Sequence, residues 1–127
     1  MSHLRNRPGD QPLPTPANGP GMHDLVIADL REQAGTIWPS IIREMEARRD
    51  VGLQRYGQPL QAGNGRDALR DLIEECLDGL VYARQVRVEA TEAHITHVAE
   101  LIEKSLRQAA VFTQLLRMVA GSVAVPE

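Results

Sequence analysis

The chain has 127 residues, 43% of them hydrophobic but only 3% aromatic (Trp38, Tyr56, Tyr82 and Phe112), with 14 basic against 17 acidic side chains and a formal net charge of −3. Aromatics this scarce argue against an immunoglobulin-like sandwich, an aromatic cage or a base-stacking platform, and a net-acidic chain without a cationic block is a poor binder of long nucleic acid or of a membrane surface. Cys76 is the sole cysteine, which excludes an intrachain disulfide or a thiolate metal cluster and fits a reducing, cytoplasmic setting.

Residues 1–21 hold five of the eight prolines and almost no large apolar side chain. Such a segment buries too little surface to offset its ordering entropy, so a disordered tail is expected over 1–21, followed by one helical-bundle domain over 22–127. No apolar run of signal-peptide length opens the chain, and no stretch approaches the roughly 20 apolar residues of a membrane span.

A short first helix is expected from about His23 to Gln33, broken by Gly35. The second follows Thr36, with Pro39 in its first turn, where a missing N–H costs little. Its apolar stripe is Trp38, Ile41, Ile42, Met45 and Leu53, and Gly57 stops it. A loop follows, rich in turn formers: Gly57, Pro59, Gly63, Asn64 and Gly65. The third helix starts near Arg66 or Asp67, with Asp67 as N-cap, and carries Leu69, Leu72, Ile73, Cys76, Leu77, Leu80, Val81 and Ala83 at helical spacing. The fourth runs from about Glu92 or His94 to Ala120, with a stripe of Ile95, Val98, Ile102, Leu106, Ala109, Phe112, Leu116 and Val119, and Gly121 as its end. No period-2 alternation predicts a strand. The expected fold is all-α, a small bundle of three long helices and one short one. Long helices in a thin layer leave apolar faces uncovered, which favours a dimer or higher oligomer.

Two kinds of chemistry are candidates. Glu75 and Asp78 lie one turn apart on the third helix, and Glu46 and Asp50 are i, i+4 on the second. Converging carboxylates of this kind suit a hard cation such as Mg²⁺, although acids on a helix are more often a solvated face. In the loop, Arg55 and Arg66 bracket glycines that lead into a helix N-terminus, an arrangement suited to phosphate; a structural turn, with glycines supplying positive φ, is the competing reading. His94, His97 and Glu100 form a weaker zinc facet. Cys76 falls on an apolar stripe and reads as a buried structural thiol.

The run from Arg48 to Gln85 contains Arg55-Tyr56-Gly57-x-Pro59-Leu60, then Asn64-Gly65-Arg66-Asp67, then Glu74-Glu75-x-x-Asp78-x-x-x-Tyr82. It resembles small all-α proteins of actinobacteria and their phages, which look like relatives of MazG-like nucleotide pyrophosphohydrolases. The resemblance implies an all-α, oligomeric, Mg²⁺-dependent hydrolase that converts nucleoside triphosphates to monophosphates. It uses Glu-x-x-Glu on one helix and Glu-x-x-Asp on the next. Glu75 and Asp78 match the second motif. The first is absent as written, since Glu44-x-Glu46 and Glu46-x-x-x-Asp50 are spaced differently. On this reading Glu46, Asp50, Glu75 and Asp78 hold metal, Glu46, Glu75 and Asp78 serve catalysis, and Arg55, Tyr56, Asn64 and Arg66 bind the nucleotide. The alternatives are a non-catalytic nucleotide-binding or sequestering module, and a helical protein–protein adaptor with a proline-rich arm.

Overall fold

Helix α1 (Met22–Arg31) and helix α2 (Trp38–Tyr56) pack together. Ile27 of α1 is 2% exposed and is the most deeply buried side chain of the pair, while Ile42 and Met45 of α2 are half-buried. Pro39 stands in the first turn of α2, where no intrahelical N–H is missed, and Gly57 ends the helix in the left-handed conformation at φ 69°, its N–H returning to the Leu53 carbonyl. The computed structural model describes residues 11–122; the first ten residues of the expected tail lie outside them.

Helix α3 (Ala68–Glu89) and helix α4 (Ala93–Ser122) form an antiparallel hairpin joined by a short turn. Asp67 caps α3 as expected, its side chain accepting a 3.1 Å hydrogen bond from the Arg70 N–H. Helix α4 runs through Gly121 to Ser122, two residues past the expected end at Ala120. The contacts of the chain fall into two compact units, Met1–Arg66 and Asp67–Glu127. Among the described residues every regular element is helical, and the one isolated β-bridge joins Gly21 to Gln61.

The seam between α3 and α4 corrects the expected stripes. Ile73, Cys76 and Ala83 of α3 are buried against Ala99, Glu103 and Thr113 of α4, with Leu69, Leu80, Leu106 and Ala110 half-buried beside them. Most of the apolar stripe read for α4 lies one position round the helix from this seam: Val98, Phe112, Leu116 and Val119 are half or more exposed. Small residues explain the choice. Ala99, Ala110 and Gly79 let the helices approach closely, and a Cβ on Gly79 would stand 3.3 Å from the Leu106 side chain. Large residues on the neighbouring stripe would hold the helices apart.

The proline-rich arm is tied down where it is described. Residues 11–21 run along the loop between α2 and α3, and the bonds use main-chain groups of the arm, which composition does not reveal. Thr15 donates its N–H to the Asn64 carbonyl at 2.9 Å, and the Met22 N–H reaches the Leu60 carbonyl at 2.7 Å. Gln61 spans the arm with both ends of its amide: Oε1 accepts from the Ala17 N–H and Nε2 donates to the Gly19 carbonyl.

Candidate functional site

The loop residues expected to hold phosphate are engaged in structure. Asn64 is buried, its side-chain oxygen accepting the Arg66 N–H at 3.2 Å and its carbonyl receiving both donors of Thr15. The Arg66 guanidinium donates to the Pro12 carbonyl at 2.7 Å. Gly57, Gly63 and Gly65 all take positive φ, so the glycines serve the turn. Arg55 and Tyr56, in the last turn of α2, are exposed. Farther along, the Arg70 N–H near the start of α3 is spent on the Asp67 cap.

The acids of α2 are drawn into ion pairs within the α1–α2 unit. Glu46 lies 3.9 Å from Arg31, and Asp50 lies 3.2 Å from Arg49, which also binds Asp24 at 3.1 Å. The hydrogen bonds that Arg49 donates to Asp24 and Asp50 raise its pKa above the ordinary value. Glu44 is exposed.

On α3 the acids divide. Asp67 caps the helix, Glu74 pairs with Arg70 at 3.3 Å, and Glu89 accepts from Gln85 at 2.8 Å. Glu75 and Asp78 are exposed, share one side of the helix a turn apart, and make no hydrogen bond or ion pair among the described residues. Mg²⁺ commonly keeps several waters and is held by one or two carboxylates together with substrate phosphates, and this pair fits that mode. A complete protein cage is another matter: among the described residues no three His, Cys, Asp or Glu side chains are grouped to hold a metal ion. His94, in the zinc facet, lies 3.3 Å from Glu92 instead.

A cluster in the hairpin carries electrostatics that helix spacing did not flag. Glu103 of α4 is 4% exposed and lies 2.9 Å from Arg84 and 3.3 Å from Arg87, which also reaches Glu100 at 3.6 Å. The Arg84 hydrogen bond, helped by both arginine charges, holds the Glu103 carboxyl below its usual range against the opposing effect of burial. The signal in the sequence is the run of Thr96, Ala99, Glu103, Leu106, Ala110 and Thr113 at alternating spacings of three and four, in which an acid sits at a seam position. The cations are the chain's own, so the cluster locks the hairpin. On this side of the hairpin, Ile73, Leu77, Val111 and Gln114 line a groove of about 560 Å³, which contains neither Glu75 nor Asp78.

Fold and site together define an all-α helical-hairpin protein with an exposed carboxylate pair on α3, and no helix among the described residues is long and apolar enough to cross a membrane. No protein-family model, curated protein or solved structure matches the chain.

Proposed function

We propose that the chain is a Mg²⁺-dependent nucleoside triphosphate pyrophosphohydrolase of the MazG-like kind, or a degenerate relative of one, acting in the cytoplasm as a homo-oligomer. The observation that carries this reading is the isolation of Glu75 and Asp78. They are the acids of α3 without a partner among the described residues, and they stand at the Glu-x-x-Asp spacing of the resembled motif.

Glu75 and Asp78 would hold the cation through carboxylate oxygens on one helix face. Mg²⁺, when bound there, supplies polarisation of a phosphoanhydride and a lowered pKa for an attacking water. Glu46 and Asp50 are committed to Arg31 and Arg49 within the α1–α2 unit. Within the α1–α2 unit Arg55 and Tyr56 are exposed in the last turn of α2, a cation and an aromatic ring of the kinds that suit a phosphate and a base. Arg66 and Asn64 would act indirectly, by holding the loop in shape.

A second reading rests on a different observation. The bonds between the arm and the loop, together with the apolar faces of α3 and α4, suit a helical adaptor without chemistry. The test is pyrophosphate release from a panel of ribo- and deoxyribonucleoside triphosphates with Mg²⁺. The hydrolase reading expects release that Glu75→Ala and Asp78→Ala each abolish. Thermal stabilisation by nucleotide without product points to the degenerate binding module. Absence of both, or release indifferent to the two substitutions, overturns the reading in favour of the adaptor.

A further inference from the structure

Asn18 and Asn64 are each followed by glycine. That order of residues has its own chemistry. Glycine carries no Cβ to hinder its main-chain nitrogen, so the nitrogen can turn onto the side-chain carbonyl of the asparagine before it. Ring closure needs a side-chain amide open to solvent and a peptide unit free to rotate. The two asparagines differ in both respects.

Asn64 is held. It is 8% exposed, its side-chain oxygen accepts the Arg66 N–H, and its carbonyl accepts both donors of Thr15. Rotating the Asn64–Gly65 peptide would break the Thr15 bonds, and turning the side chain would break the Arg66 bond. Asn18 lies open. It is exposed, and neither its side chain, its carbonyl nor the Gly19 N–H is hydrogen-bonded among the described residues. Gly19 has φ 140°, and nothing stands within 4 Å of where its Cβ would be. The bonds that order this stretch lie immediately outside it. The Ala17 N–H donates to Gln61 Oε1 at 3.1 Å, and the Gly19 carbonyl accepts from Gln61 Nε2 at 3.0 Å. A single side-chain amide therefore fixes the length of main chain from Ala17 to Gly19, and Asn18 is the residue it spans.

We propose that Asn18–Gly19 is a self-modification site of the arm, and that its conversion releases the arm from Gln61. The Gly19 nitrogen gives its proton to solvent base and bonds to Asn18 Cγ, and the side-chain nitrogen leaves as ammonia, forming a cyclic imide. Water then opens the ring. Cleavage at Cγ leaves aspartate. Cleavage at the main-chain carbonyl carbon leaves isoaspartate, whose main chain runs through Cβ and Cγ. Water is consumed, ammonia is released, and nothing is oxidised or reduced. Isoaspartate inserts one carbon, about 1.5 Å of chain, between two groups held by the same amide, so both bonds to Gln61 cannot be kept. Aspartate adds the charge without the length. The coupling runs both ways: the Gln61 bonds restrain the rotation that ring closure needs, and isoaspartate removes those bonds. A newly made chain is latched at Ala17 and Gly19, and an aged one is open there, with the Thr15–Asn64 and Met22–Leu60 main-chain bonds remaining on either side.

Ageing the full chain at neutral pH in heavy-oxygen water tests the site. Peptide mapping by mass spectrometry locates the conversion, enzymatic methylation of the new carboxylate identifies isoaspartate, and a sample in urea gives the unrestrained chemistry. Heavy oxygen is expected at position 18, with Asn64 converting at least about tenfold more slowly because its hydrogen bonds must break first, and with both converting in urea. Gln61→Ala is expected to speed conversion of Asn18 about tenfold, the scale of losing the bonds that hold its neighbours. Hydrogen exchange at the Ala17 amide is expected to quicken in the isoaspartyl chain to the rate seen in Gln61→Ala, while Asn18→Asp keeps the parent rate. Asn18 intact in the folded chain while it converts in urea, or Asn64 converting as fast as Asn18, overturns the site. Isoaspartate formed with Ala17 exchange unchanged overturns the release.

Discussion

Arg84 of α3 donates from Nε to Oε1 of Glu103 on α4 across 2.9 Å, and the receiving carboxylate is almost wholly buried in the seam of the hairpin. A buried acid in such a seam is stable only while its cations stay beside it, and losing one partner costs more than the pair gains over an apolar substitute. Glu103→Ala leaves Arg84 and Arg87 without their shared acceptor and is expected to lower the melting temperature by several degrees. Glu103→Leu, which fills the same space, is expected to cost less than Glu103→Ala if the two arginines can turn to solvent. Thermal unfolding followed by circular dichroism ranks the two.

The same carboxylate makes stability depend on pH. Its folded pKa lies below the unfolded value, so the contribution is fully present above the ordinary carboxylate range and is lost as pH falls through the depressed folded value. The stability difference between the parent chain and Glu103→Gln is expected to be constant from neutral pH down to about 5, and to shrink on further acidification. A difference that grows on acidification contradicts this assignment. Denaturant titrations at a series of pH values give the curve.

Asp67 satisfies one of the open N–H groups at the start of α3. Asp67→Ala is expected to cost about 1 kcal/mol, and Asp67→Asn or Asp67→Ser much less, because each retains an accepting oxygen. Urea unfolding of the three variants measures the order.

Gln61 holds the arm at Ala17 and Gly19 with the two ends of one amide. Gln61→Ala removes both bonds at once. At about 0.5–1.5 kcal/mol for each net hydrogen bond, the arm is expected to open one to two orders of magnitude more often. Hydrogen exchange at the Ala17 amide reads this opening, with Met22, bound to Leu60 through the main chain, as the internal reference.

Elements whose ends are decided by local chemistry were legible before any coordinates. Pro39, Gly57 and Asp67 each fix a helix terminus through a missing donor, a positive φ or a side-chain acceptor, and all three stand where the sequence places them. What was illegible depends on partners distant in the chain. The α4 stripe reads as a core face because it is apolar, yet the seam is the neighbouring stripe of small residues, and only the close approach at Gly79 reveals the preference. The arm reads as disordered because its composition offers no apolar surface, whereas its order comes from main-chain bonds to Asn64, Leu60 and Gln61. Asn64 and Arg66 read equally well as ligand groups or as turn scaffolding, and their partners are in the loop and arm. For Glu75 and Asp78 the sequence supplied the spacing, and the structure adds that neither is engaged by a neighbour among the described residues.

The claim that Glu75 and Asp78 receive a nucleotide-bound cation is tested most directly with Mn²⁺ as a paramagnetic substitute for Mg²⁺. Amide resonances are followed as Mn²⁺ is added in the presence of a non-hydrolysable nucleoside triphosphate. The account predicts broadening centred on residues 75–78, abolished by Glu75→Ala. Broadening centred on His94 and His97, or unchanged in the variant, would contradict it.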